Sequence, residues 1–207
     1  MPTRRFALTA TLSAVLALAA GQAPAAAPAA AAKLPVQAGD MSLGSPKAKV
    51  QVVEYASLSC PHCARFHADV FPAFKAKYVD TGKVRFTFRE MLTPPAEVAA
   101  AGFMLARCAG PSKYFKVVGE VFDSQSRWTE GDLKPIFVEI AKANGVSEAQ
   151  LDACLTDQAG LQALNGRVKA AIDAGVNSTP TFFVNGKKFE GEMTLQQLDA
   201  AIAAAGR

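Results

Sequence analysis

The sequence predicts an α/β fold in which a helical block is inserted between a β-α-β half and a β-β-α half. Three observations carry this reading. Apolar, β-branched runs stand near both ends of the folded part, at Val50–Tyr55 and Thr181–Val184; residues 91–178 between them carry helical periodicity; and Asn185-Gly186 joins the second run to a return strand. The chain has 207 residues, half of them hydrophobic and 19% charged, which excludes a disordered chain and allows a sizeable core. Its net charge is +4, but Arg4 and Arg5 are the only charges in residues 1–32, leaving 20 basic against 18 acidic residues, or +2, in the rest. Without a basic run of five, a polyanion-binding patch is disfavoured and no nucleic-acid partner is expected.

Residues 1–32 read as a signal peptide and an Ala/Pro linker. Two arginines precede the uncharged run Ala7–Ala20, and small residues follow through Ala32. An uncleaved anchor and a twin-arginine signal are the competing readings. The run of 14 is short of the ~20 residues that span a bilayer, and Phe6-Ala7-Leu8 fits the twin-arginine pattern poorly. Export would place the folded part in an oxidising compartment.

The folded part is expected to begin near Lys49. Val50–Tyr55 reads as a strand buried on both faces, with Val50, Val52 and Glu54 on one side. A helix follows from Pro61, whose missing N–H costs nothing in a first turn. Cys63, Phe66, Val70 and Phe74 form its apolar stripe; Pro72 should kink it and Thr81-Gly82 end it. Val84, Phe86 and Phe88 alternate with polar residues as a second strand. Helical stripes then run through Val98, Ala101, Leu105 and Cys108; through Leu133, Ile136, Phe137 and Ile140; through Leu151, Cys154 and Leu155 behind a Ser147–Gln150 capping box; and through Leu161, Leu164, Val168 and Ile172. After Thr181–Val184, Asn185-Gly186 is a strong hairpin signal leading to Lys187–Phe189, and Thr194 with Gln197 caps a last helix bearing Leu195, Leu198 and Ile202.

The chemistry concentrates at Cys60-Pro61-His62-Cys63. At a strand-to-helix turn, free N–H groups and the helix dipole favour an anion, so Cys60 is expected to be an exposed nucleophile of depressed pKa. His62 would add donor or cationic character beside it. Cys63 lies on the apolar stripe and should be shielded, which fits a cycle in which one sulfur forms a mixed disulfide and the other resolves it. Two other readings compete: half of a zinc site aided by His62 or His67, and an inert structural bridge. A partly buried helix residue is the simplest reading of His67.

Glu54–His67, with Asn177-Ser178-Thr179-Pro180-Thr181-Phe182-Phe183-Val184-Asn185-Gly186, resembles the DsbA-like thiol:disulfide oxidoreductases, bacterial periplasmic proteins with a thioredoxin fold and a helical insertion. The resemblance covers about residues 40–205. It implies residues 33–93 and 176–207 as the two parts of the thioredoxin domain and residues 94–175 as the helical insertion. It further implies Cys60 as nucleophile, Cys63 as resolving thiol, Pro180 as a cis-proline facing them, and Thr179 as the residue whose backbone pairs with an extended substrate. Without the resemblance, Pro180 would read as a trans proline starting an edge strand. Glu54 matches the buried acid that handles the proton of the resolving cysteine; burial would raise its pKa by desolvation, whereas a strand-edge carboxylate in water is the other reading.

The Pro61-His62 dipeptide resembles the oxidising members. The resemblance thus implies disulfide donation to exported proteins, reoxidation by a membrane quinone-linked DsbB-type partner, no cofactor beyond the Cys60–Cys63 disulfide, and a monomer. Thr179 before Pro180 instead resembles isomerases and some reductive relatives, although Lys33–Lys49 is too short for the N-terminal dimerisation domain such isomerases carry. A non-redox chaperone or binding module is a further alternative. Cys108 and Cys154 lie on apolar helix faces; an even count in an exported protein, and the extra disulfide of some alphaproteobacterial relatives, point to a bridge, with two buried free thiols as the alternative.

Overall fold

A computed structural model describes Met1 and residues 33–128 and 133–206. The signal-peptide and linker reading of residues 1–32 lies outside them. The elements below all belong to one compact unit spanning Ala31–Arg207.

Five strands form one sheet in the order β1-β3-β2-β4-β5: β1 (Met41–Leu43), β2 (Val50–Ala56), β3 (Val84–Glu90), β4 (Thr181–Val184) and β5 (Lys187–Glu190). β2 and β3 are parallel and the other pairs antiparallel. The crossover between the parallel strands carries α1 (Pro61–Asp69) and α2 (Phe71–Phe74). Between β3 and β4 come α3 (Ala96–Cys108), α4 (Tyr114–Ser124), α5 (Lys134–Ala143), α6 (Glu148–Leu155) and α7 (Gln158–Asp173); α8 (Leu195–Ala205) closes the chain.

β2 is the centre of the sheet and every one of its residues is buried. The period of two sorts them between two cores. Val50, Val52 and Ala56 join the large cluster that continues through Phe66 of α1, Phe103 and Leu105 of α3, Val117 and Val121 of α4 and Leu198 of α8. Val53 and Tyr55 face the other way, against Ala171 of α7 with Met91, Val176 and Phe183. The helical block therefore shares its main core with the sheet. At Gly102, α3 packs tightly on the strand-to-helix turn: a Cβ there would lie 2.7 Å from the Leu58 side chain. In the last hairpin, Asn185 and Gly186 both adopt positive φ (44° and 84°), as a two-residue turn between right-twisted strands requires.

Three expectations need correction. The folded part begins before Lys49: β1 pairs with β3, and Arg89 reaches back to Asp40 and the Pro35 carbonyl. A three-residue edge strand with no fully buried side chain leaves almost no pattern to read. The helix after Cys60 does not run kinked through Pro72. It stops at Asp69 and restarts with Pro72 in a new first turn, because proline cannot donate to Ala68 and its ring would strike that carbonyl. A π-helical turn, Lys75–Val79, then leads to the close of the segment. Third, Ile172 is 57% exposed; α7 instead seats Leu164, Val168 and Ala171, an arc that leaves the next residue facing outward. The helical stretch also contains α4, deeply buried through Tyr114, Val117, Val118, Val121 and Phe122.

Candidate functional site

Cys60 is the N-cap of α1, with extended backbone angles, and its sulfur accepts the Cys63 N–H at 3.4 Å. The turn is fastened from three sides. The Cys60 N–H donates to the Ser57 carbonyl, Ser59 Oγ donates to the Thr93 carbonyl (2.7 Å), and Gln125 Nε2 reaches from beyond α4 to the Leu58 and Cys60 carbonyls (2.7 and 3.3 Å). Nothing in the sequence singled out Gln125, since an amide donor at the end of a helix has no motif.

Cys60 and Cys63 are free thiols here. The Thr179-Pro180 bond is cis, and it brings the Thr179 carbonyl to 3.5 Å from the Cys60 sulfur. The Cys60 pKa is lowered to about 5, chiefly by the hydrogen bond from the Cys63 thiol, against the opposing cost of burial and with help from Thr179 and the backbone N–H groups of Cys63 and His62. Cys63 moves far the other way: burial raises its pKa most, followed by its hydrogen bond to Cys60 and the charges of Glu54 and Cys60. One sulfur is thus prepared as an anion and its neighbour as a thiol.

Two expectations about this turn change. Cys60 is not openly exposed; it keeps 5% of its surface, because Thr179 and the helix head crowd it. His62 does not lie against the sulfur. Its Nδ1 is 2.5 Å from Glu192 Oε1, which also accepts from Arg65 at 2.6 Å, so an exposed cluster draws the ring away and His62 reaches Cys60 through its backbone N–H. Glu192 had no sequence signal, being a loop acid 130 residues away.

Glu54 is fully buried, as its strand face predicted. It sits between Phe88 and Phe182 in register. Its Oε2 is 2.9 Å from His67 Nε2, while Oε1 has no hydrogen-bond partner among the described residues. The partnership with His67 escaped the sequence reading, although a position four residues after Cys63 shares that cysteine's helix face. His62 and His67 therefore serve different acids and do not converge on the sulfurs, and among the described residues no group of three or more His, Cys, Asp or Glu could hold a metal. Cys108 and Cys154 are joined as a disulfide tying α3 to α6, with Cα atoms 6.1 Å apart.

A parallel β-α-β unit, a Cys-x-x-Cys at the head of its helix and a cis-proline opposite define the class of thioredoxin-fold dithiol proteins. The family model described as Thioredoxin matches residues 37–204. A protein of Rickettsia bellii that bears the name protein-disulfide oxidoreductase is 33% identical over 176 residues, covering 82% of this chain and 66% of its own. The structure of Wolbachia pipientis alpha-DsbA1 superposes with a TM-score of 0.76 at 30% identity, over 84% of this chain and 93% of that one. BdbD from Bacillus subtilis, at 21% identity and a TM-score of 0.75, shares the fold. The chain belongs to the DsbA-like branch of the thioredoxin family. It spans 56–66% of the length of three curated Rickettsia relatives it matches. Among the described residues, no helix is long and apolar enough to cross a membrane.

Proposed function

We propose that this chain is a thiol:disulfide oxidoreductase that donates disulfides to exported proteins through Cys60 and Cys63. The observation that carries this reading is Cys60 at the head of α1 with its pKa lowered to about 5 beside a buried Cys63 pushed the other way. At pH 7 such a group holds roughly a hundred thiolates per thiol. In the disulfide form, a client thiolate attacks the Cys60 sulfur and the bond to Cys63 breaks, leaving the electron pair on Cys63, which takes a proton from the side of Glu54. The client's second thiolate then attacks the client sulfur of the mixed disulfide, and Cys60 leaves as a stabilised thiolate. Because the reduced protein holds that anion cheaply, the equilibrium favours handing the bond on. Cis-Pro180 and the Thr179 backbone would receive the client as an added strand.

In this reading the signal peptide in residues 1–32 delivers the chain to the periplasm, where it acts as a monomer, needs no cofactor beyond its own disulfide and is reoxidised by a membrane quinone-linked DsbB-type enzyme. The Cys108–Cys154 bridge supports an oxidising compartment. Thr179 before the cis-proline favours a second reading, isomerisation or reduction on the same site. The reduction potential of the Cys60–Cys63 pair, equilibrated against glutathione, separates the two. A potential well above thioredoxin's, about −270 mV, is expected; a value at that level would overturn the donor role. Cys60→Ser would abolish turnover, whereas a non-redox chaperone would survive it.

A further inference from the structure

Glu54 is a buried carboxyl with one oxygen committed to His67 and the other without a partner among the described residues. A bare carboxylate oxygen in an apolar site is costly, so a protein that keeps one must control its charge. His67 is the group placed to do so. Its side chain is 7% exposed, and its ring lies between those of Phe71 and Phe122 at centroid distances of 4.7 and 4.6 Å. Phe66 and Phe88 close on its edges at 5.6 and 5.8 Å. The elements around the imidazole, α1, α2, β3 and α4, thus present aromatic rings to it. The titratable groups facing it are Glu54 from β2 and Cys63 one turn back on α1; Arg65 and Asp69 lie on the opposite side of α1, and Arg65 is engaged by Glu192. No other ion pair to His67 is present among the described residues.

We propose that His67 is a positioning residue that holds Glu54 by Oε2, aims Oε1 at the Cys63 sulfur, and compensates the buried charge when Glu54 gives up its proton. This rests on the thiol–disulfide reading above. When the client thiolate bonds to the Cys60 sulfur, the Cys60–Cys63 bond breaks and its electron pair stays on Cys63. The Glu54 carboxyl proton passes to that sulfur. The negative charge that entered on the client thiolate ends on Glu54, where His67 Nε2–H donates to Oε2. The disulfide is reduced and the client thiol oxidised, with no further reagent. The proton step therefore depends on the Glu54–His67 pair and not on the acid alone.

The test is the single-turnover reduction of the Cys60–Cys63 disulfide by a synthetic dithiol peptide, quenched by alkylation, from pH 4 to 8. It compares the wild type with His67→Gln, which keeps a donor to Glu54 but cannot titrate, and His67→Phe, which fills the aromatic cage and offers neither. The ratio of variant to wild-type rates cancels the client thiol's own titration. The expected result is a ratio that changes by about tenfold across the pH range for His67→Gln, with His67→Phe slower still at neutral pH. Ratios flat within twofold in folded variants would overturn the proposal. If His67→Phe fails to fold, His67→Gln alone decides it. Alkylation of Cys60 in the reduced proteins runs alongside. A wild-type Cys60 that ionises like free cysteine sinks the thiol–disulfide reading itself, whereas a low-pKa Cys60 with a flat ratio removes only the role of His67.

Discussion

The sulfur of Cys60 lies 3.5 Å from the carbonyl oxygen of Thr179, a residue 119 positions away in sequence. The contact spans the gap between the head of α1 and the cis peptide before β4. It serves the two protonation states differently: the carbonyl can accept from a thiol S–H, whereas the Thr179 side chain stabilises the thiolate and helps lower the Cys60 pKa. Thr179→Val removes the hydroxyl while keeping the shape. We expect the Cys60 pKa to rise by about one unit from its value near 5, the size of one lost hydrogen bond to a charged group, and Thr179→Ser to restore it. The pH dependence of iodoacetamide alkylation measures this; an unchanged midpoint in Thr179→Val would show that the backbone alone sets the contact.

The same thiolate makes stability depend on redox state. The Cys60 pKa is about 5 in the folded reduced protein and ordinary, near 8.5–9, when unfolded. Its folded value is depressed, so between pH 5 and about 8.5 the unfolded chain binds the extra proton and stability rises with pH. The contribution is full above the unfolded pKa and lost as pH falls through 5. The oxidised protein has no such group. Melting temperatures of the two redox forms should therefore diverge from pH 5 to 8, the reduced form gaining. A gap independent of pH would contradict the low pKa.

The Cys108–Cys154 disulfide closes a loop with a sequence separation of 46 and ties α3 to α6. Removing both sulfurs with Cys108→Ala and Cys154→Ala should lower stability by about 2–4 kcal/mol, chiefly by freeing the unfolded chain, while the alkylation profile of Cys60 stays put. Denaturant midpoints of the variant and parent proteins give the first quantity. A change in the Cys60 profile would mean that the α3–α6 tie acts on the site.

Arg89 is 5% exposed on β3 and fastens the segment before β1: its guanidinium donates to both oxygens of Asp40 at 2.9 Å, to Tyr55 Oη at 2.7 Å and to the Pro35 carbonyl at 2.7 Å. Asp40→Ala strands a buried cation with neutral partners. We expect a loss of about 3 kcal/mol, read from urea unfolding, and a smaller loss for Asp40→Asn, which keeps an acceptor. Equal stability of all three proteins would mean that water solvates Arg89 freely.

The parts of the fold that were legible share one property: their pattern is written in consecutive residues. β2 and β4 announce themselves as apolar, β-branched runs, β3 by alternation and the Asn185-Gly186 hairpin by turn chemistry, and the capping boxes at Ser147 and Thr194 form as the spacing predicts. β1 does not, because three half-buried residues carry no period, and the break before Phe71 does not, because a proline inside an apolar stripe is compatible with a kink or a restart.

The site divides along the same line. Sequence alone placed Cys60 at a helix head and Cys63 behind it, and put Glu54 on the strand face that is buried. Tertiary structure decided what each of them meets. It turned His62 toward Glu192 and away from the sulfur, gave Glu54 a histidine partner with one oxygen left bare, brought Gln125 under the turn and joined Cys108 to Cys154. Periodicity and capping depend on neighbours a few residues apart, so a linear reading reaches them. Hydrogen bonds and charges act through space, and the residues that set the two sulfurs apart are brought together only when the sheet and helices pack.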